Sequence, residues 1–140
     1  MKIINKQTCP TCGQTINEVE IVLVAPMVKA LVRVFDWCSQ NNQWEFRRKD
    51  ILKNDIEIAR FGDLRYFGDL VRKPKKGSYK ISHARTLAFL RGELSIPTKV
   101  YKKTRSPFVH IDTKSFRTIS EVPKLGEVLD EDMEIIVRYK

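Results

Sequence analysis

Residues 55–82, DIEIARFGDLRYFGDLVRKPKKGSYKIS, constrain the fold more than any other stretch of the chain. Ile58, Phe61, Leu64 and Phe67 recur every three residues, which places them on one broad face of a helix. Arg60, Asp63 and Tyr66 fall on the other side. Asp55 is the expected N-cap, and Gly68 the residue that closes the helix in the left-handed conformation. Leu70-Val71-Arg72 then starts a strand, Lys73-Pro74-Lys75-Lys76-Gly77 carries turn residues, and Ser78-Tyr79-Lys80-Ile81 alternates as a second strand. The stretch predicts a helix that feeds directly into a two-stranded hairpin with a cationic tip.

Charge along the chain singles out the same hairpin. Residues 1–71 hold 10 Lys/Arg against 9 Asp/Glu, residues 72–105 hold 11 against 1, and residues 106–140 hold 5 against 7. The whole excess of the +9 chain therefore begins at the hairpin. A surface built for solubility mixes both signs, whereas one-signed clustering attracts polyanions. Nucleic acid is the expected partner, ahead of an acidic protein. A membrane surface ranks last, because no strongly apolar amphipathic helix carries these lysines.

At 140 residues with 42% hydrophobic content, the chain is long enough to bury a core and is not globally disordered. No apolar run approaches the ~20 residues that span a bilayer. The N-terminal residues Asn5, Lys6 and Gln7 interrupt any signal-peptide core, so a cytoplasmic protein is expected. Ahead of the hairpin, Pro26 suits a helical first turn, and Met27, Val28, Leu31, Val34, Phe35 and Cys38 keep helical spacing. Lys29, Arg33, Asp36 and Gln40 form a narrow polar stripe, and Asn41-Asn42 ends the helix. Residues 43–46 alternate as a short strand, and residues 47–53 can form a short helix that opens on Arg47-Arg48-Lys49. After the hairpin, Ser82 can cap a helix to Arg91 with Leu87, Phe89 and Leu90 inward and Gly92 at its end. Strands are expected at 96–101, at an edge because of Pro97, and at 108–111, 116–119 and 133–139.

The N-terminal Thr8-Cys9-Pro10-Thr11-Cys12-Gly13 is similar to a zinc-knuckle hairpin, in which two thiolates converge on one metal. Tetrahedral zinc needs four ligands, and the other cysteine and histidines are Cys38, His83 and His110. Three outcomes stay open: Zn2+ completed within the chain or by a second copy in a homodimer, a metal-free remnant of the turn, or a redox pair. Cys38 is expected in the core. The two histidines lie in no nucleophile or hydrolase motif, no Gly-rich phosphate loop is present, and no enzyme is expected.

The span from Pro26 to Arg91 resembles a winged helix-turn-helix domain, with residues 55–67 as its recognition helix and 70–81 as its wing. Residues 61–71 and 79–92 are similar to small, largely uncharacterised phage and prophage proteins with an N-terminal Cys-Pro-x-Cys knuckle. The resemblance implies an α+β fold: a knuckle hairpin in 1–20, a winged helix-turn-helix core in 21–92 and a β-rich extension in 93–140. It implies a non-enzymatic DNA-binding protein in a phage setting, serving transcription or replication. Arg60, Arg65 and Tyr66 would face the groove, Lys73, Lys75, Lys76 and Lys80 would meet phosphates, and Arg47, Arg48 and Lys49 would add backbone contacts. Cys9 and Cys12 would be the metal ligands. Glu57, Asp63 and Asp69 depart from the pattern, since acids near phosphates repel. The rival expectation is a phage modulator that docks its basic face on an acidic host protein.

Overall fold

In this computed structural model the described backbone comprises residues 2–8, 15–103, 109–125, 135, 138 and 139, with side chains described from Glu18 onward. Helices and antiparallel strands are mixed in an α+β arrangement around one buried cluster. Helix α1 (Ala25–Asn41) runs through its centre. Met27, Val28, Leu31, Val34, Phe35 and Cys38 are all buried on it, as their spacing predicts. Ala25, Ala30 and Val32 are buried too, so the helix is enclosed on most sides. Asn42, at φ 49°, ends it in the left-handed region.

Strand β3 (Glu45–Phe46), helix α2 (Arg48–Ile51) and helix α3 (Asp55–Phe61) follow. The cap of α3 is Asn54 rather than Asp55: its Oδ1 accepts from the Ile56 and Glu57 amides at 2.9 and 3.3 Å. The helix also stops at Phe61, six residues short of the expected end, and a 3₁₀ turn takes Gly62–Tyr66. Strict three-residue spacing suits a 3₁₀ turn, where i and i+3 eclipse, better than an α-helix. Phe61, Leu64 and Phe67 accordingly stay on the core side, fully buried, while Ile58 is only half-buried. Gly68 is left-handed at φ +64°, as expected.

Strands β4 (Val71–Lys75) and β5 (Ser78–Ile81) form the hairpin, and β3 pairs with the other side of β5. β4 runs on through Pro74 to Lys75 across a register shift, so the tip is Lys76-Gly77 rather than the whole basic run. Helix α4 (His83–Leu90) is capped by Ser82, whose Oγ accepts from the Arg85 amide. Phe89 and Leu90 are buried in it as expected; Leu87 is half-buried, and Thr86 takes a fully buried place.

The expected strand at 96–101 divides at Thr98. β6 (Ile96–Pro97) pairs with β9 (Phe116–Arg117), where the proline needs no inner ladder bond. β7 (Lys99–Lys103) is internal, between β2 (Thr15–Val22) and β8 (Val109–Ile111), with β1 (Lys2–Thr8) outside β2. Residues from the first and third segments of the expected division thus share one four-stranded sheet. β9 ends early because Thr118 and Glu121 form a capping box that opens a 3₁₀ turn at Ile119. Of the residues expected in the last strand, the described ones, Ile135, Arg138 and Tyr139, are helical instead. The Arg138 guanidinium and the Tyr139 hydroxyl both donate to Asp36 Oδ1 of α1 at 3.0 Å, which ties these two residues to α1. Among the described residues no helix is long and apolar enough to cross a membrane.

Candidate functional site

An aromatic chain leads from the core to the basic surface. Phe46 packs on Phe61 with ring centroids 5.7 Å apart, and Phe61 on Tyr79 at 5.5 Å, both edge to face. Tyr79 is buried, and two cations lie over its ring: the Arg48 guanidinium at 5.5 Å and the Lys73 ammonium at 5.7 Å. Arg48 also donates to the Ile58 carbonyl at 3.0 Å, tying α2 to α3. Gly62 makes this closeness possible, since a Cβ there would lie 3.2 Å from the Tyr79 hydroxyl and 3.3 Å from Arg48 Nη1.

Around Tyr79 lies an open cleft of about 500 Å³ between α2 and the hairpin. Arg47, Arg48 and Lys49 line one wall, and Lys73, Lys76 and Gly77 the other, with Asp50 as the one acid among the described residues. Two basic runs more than twenty residues apart in sequence therefore converge on one concave surface. Arg47, Lys49, Lys73 and Lys76 are exposed, while Arg48 is partly engaged in holding the cleft together. Cations gathered in a concave surface focus a positive field, which suits an extended anion.

The other expected contacts lie elsewhere. Lys80 is exposed and directly opposite Glu45 on one neighbouring strand and Arg72 on the other. Strand alternation turns it to the face opposite Tyr79. Lys75 is exposed but does not line the cleft. Arg60 is exposed on α3. Arg65 and Tyr66 belong to the 3₁₀ turn and not to α3. Arg65 Nη2 donates to the Tyr66 hydroxyl at 2.6 Å, and Lys102 of β7 donates to the same oxygen at 3.2 Å. Both cations lie over the Tyr66 ring, at 4.8 and 5.5 Å. Burial raises the pKa of the neighbouring Asp63, and the charges of Arg65, Arg60 and Lys102 pull against that shift.

Glu57, one of the three acids set against phosphate contact, is turned inward. It is buried and meets Arg33 of α1 at 3.3 Å. Tyr79 and Lys102 were missed as site residues. Strand alternation marked the first only as a strand position, and nothing local links Lys102 to Tyr66, 36 residues away.

Cys9 and Cys12 lie outside the described residues. Cys38 is fully enclosed by the core, and burial pushes its thiol up to about 12. His83 lies against Phe35 and Trp44, with ring centroids at 5.7 and 4.7 Å. Among the described residues no group of three or more His, Cys, Asp or Glu side chains could hold a metal ion. The chain finds no significant match among family models, curated proteins or solved structures.

Proposed function

We propose that residues 21–92 form a winged helix-turn-helix unit that binds duplex DNA through the phosphate backbone, as the non-enzymatic accessory of a transcription or replication process in a phage setting. The single observation that carries the reading is the cleft, lined by Arg47 and Lys49 at the start of α2 and by Lys73 and Lys76 of the hairpin. The order α1, β3, α2, α3, β4, β5, with β5 central in its sheet, supports it. Duplex is favoured over single strand because Tyr79, the aromatic of the cleft, is already covered by Arg48 and Lys73. Its face is not free to stack on a base, which is how single strands are usually gripped.

Binding measured against unrelated duplex and single-stranded sequences at several salt concentrations tests this. If Arg47, Lys49, Lys73 and Lys76 each neutralise one phosphate, log K falls against log salt with a slope of about −3.6 on duplex. No binding at low salt overturns the reading and favours an acidic protein as the cleft's partner. The same proposal keeps Cys9 and Cys12 as zinc ligands, with a second copy supplying the other pair because Cys38 is enclosed. It expects one Zn2+ per two chains and a dimer lost on chelation; metal-free purified protein refutes that part.

A further inference from the structure

A second concavity, of about 610 Å³, opens where β2 runs into α1 and faces the segment after β8. Among the described residues it shares no lining residue with the basic cleft. Val22, Val24, Pro26 and Pro123 give it an apolar floor, and Val22 is 41% exposed there. Lys99, Lys114, Arg117 and Lys124 line it too, together with the carboxylates Asp112 and Glu121.

The two acids that line it are held in local hydrogen bonds. Asp112 Oδ1 accepts the Lys114 amide at 2.9 Å, and Glu121 Oε1 accepts the amide and the hydroxyl of Thr118, both at 2.9 Å. Of the lining cations, Lys99 reaches Glu20 at 3.9 Å. Among the described residues Lys114, Arg117 and Lys124 form no ion pair. The wall is pre-formed. Ser115 Oγ accepts from the Thr98 and Lys99 amides at 3.2 and 3.1 Å and donates to the Asp112 carbonyl at 2.7 Å. Arg117 Nη1 is held by the Lys114 and Phe116 carbonyls at 3.0 and 2.7 Å.

An aliphatic surface lined by four cations against two carboxylates keeps a positive excess, which complements an extended segment that carries aliphatic and carboxylate side chains together. Single-stranded nucleic acid fits it poorly, because no aromatic side chain among the described lining residues could stack on a base. From this charge and shape complementarity we infer that the groove docks an acidic, aliphatic peptide segment of a partner protein, leaving the basic cleft free for DNA. The protein would then bring a DNA backbone and an acidic protein tail together on one small chain.

The test uses the full chain and three fluorescein-labelled peptides: alternating Glu-Leu, alternating Lys-Leu, and oligo-Glu without leucine. Fluorescence anisotropy should show saturable binding of the Glu-Leu peptide alone. Val22→Asp, and separately Lys114→Glu with Lys124→Glu, should each weaken it about tenfold or more. All are exposed positions, so thermal melting and DNA affinity should match the unaltered protein. Three results overturn the inference: no saturable binding of Glu-Leu, equal binding of oligo-Glu, or loss of binding in Lys73→Ala/Lys76→Ala but not in the groove variants. Failure of DNA binding with intact peptide binding would overturn the cleft reading alone.

Discussion

Gly68 joins the 3₁₀ turn to the hairpin, and replacing it with alanine should be among the most damaging single-methyl changes in the molecule. Two effects add. The residue sits at φ +64°, where an L side chain costs about 1–2 kcal/mol. A Cβ there would also meet Ile96 Cγ2 at 2.5 Å and Ile96 Cβ at 2.9 Å, and Ile96 is fully buried with no room to retreat. Forcing a methyl into such packing costs about 1–3 kcal/mol more. Gly68→Ala should therefore destabilise by about 2–5 kcal/mol. Gly77 supplies the control: its φ is +80°, but a methyl added there would meet nothing within 4 Å, so Gly77→Ala should lose only the backbone cost of about 1–2 kcal/mol. Urea unfolding followed by the fluorescence of Trp37 and Trp44 measures both. The double variant Gly68→Ala/Ile96→Ala should show a favourable coupling of about 1 kcal/mol or more, because removing Cγ2 relieves the closest contact. Equal costs at Gly68 and Gly77, with no coupling to Ile96, would refute the assigned contact between the turn and β6.

At the cleft, Lys73→Ala with Lys76→Ala should weaken DNA binding alike for all sequences and flatten the salt slope by about 1.8. Adding Lys75→Ala should change little, and stability should shift by no more than about 1 kcal/mol, the scale of the lost contact between Lys73 and Tyr79. Asp63 has a raised pKa because of burial, so its contribution to stability is present in acid, below the unfolded value, and is lost as pH rises through the folded one. Asp63→Asn should thus melt higher than the unaltered protein at pH 7 and lose that advantage toward pH 3; a constant difference would refute the linkage. In a Cys9→Ser/Cys12→Ser background, Cys38 should resist thiol reagents until the chain unfolds. Fast labelling of the native protein would show that the core around α1 opens.

The sequence by itself determined the features that depend on local chain chemistry. The apolar spacing of α1, Pro26 in its first turn, Asn42 at its end, the Ser82 cap of α4 and the left-handed Gly68 all appear where those residue types predict them. So does the hairpin with its basic tip. A cap, a turn or a helical face is decided by residues within one or two turns of one another, so it can be read directly. Short apolar runs were less legible. The three-residue repeat of Phe61, Leu64 and Phe67 fits both helix types, and Ile135, Arg138 and Tyr139 belong to a run that alternates weakly enough to pass for a strand.

Tertiary structure alone decided which charges matter. Glu57 is removed from the surface by Arg33, 24 residues earlier, and Tyr66 is held by Lys102, 36 residues later. Arg47 and Lys49 share a cleft with Lys73 and Lys76 only because β3 and β4 flank β5 and bring α2 beside the hairpin tip. The pairing of β2 with β7 likewise brings Val22 opposite Lys99 and opens the second groove. These neighbours are set by strand register and core packing between distant segments. No spacing along the chain records them, because an electrostatic surface is defined by distances in space.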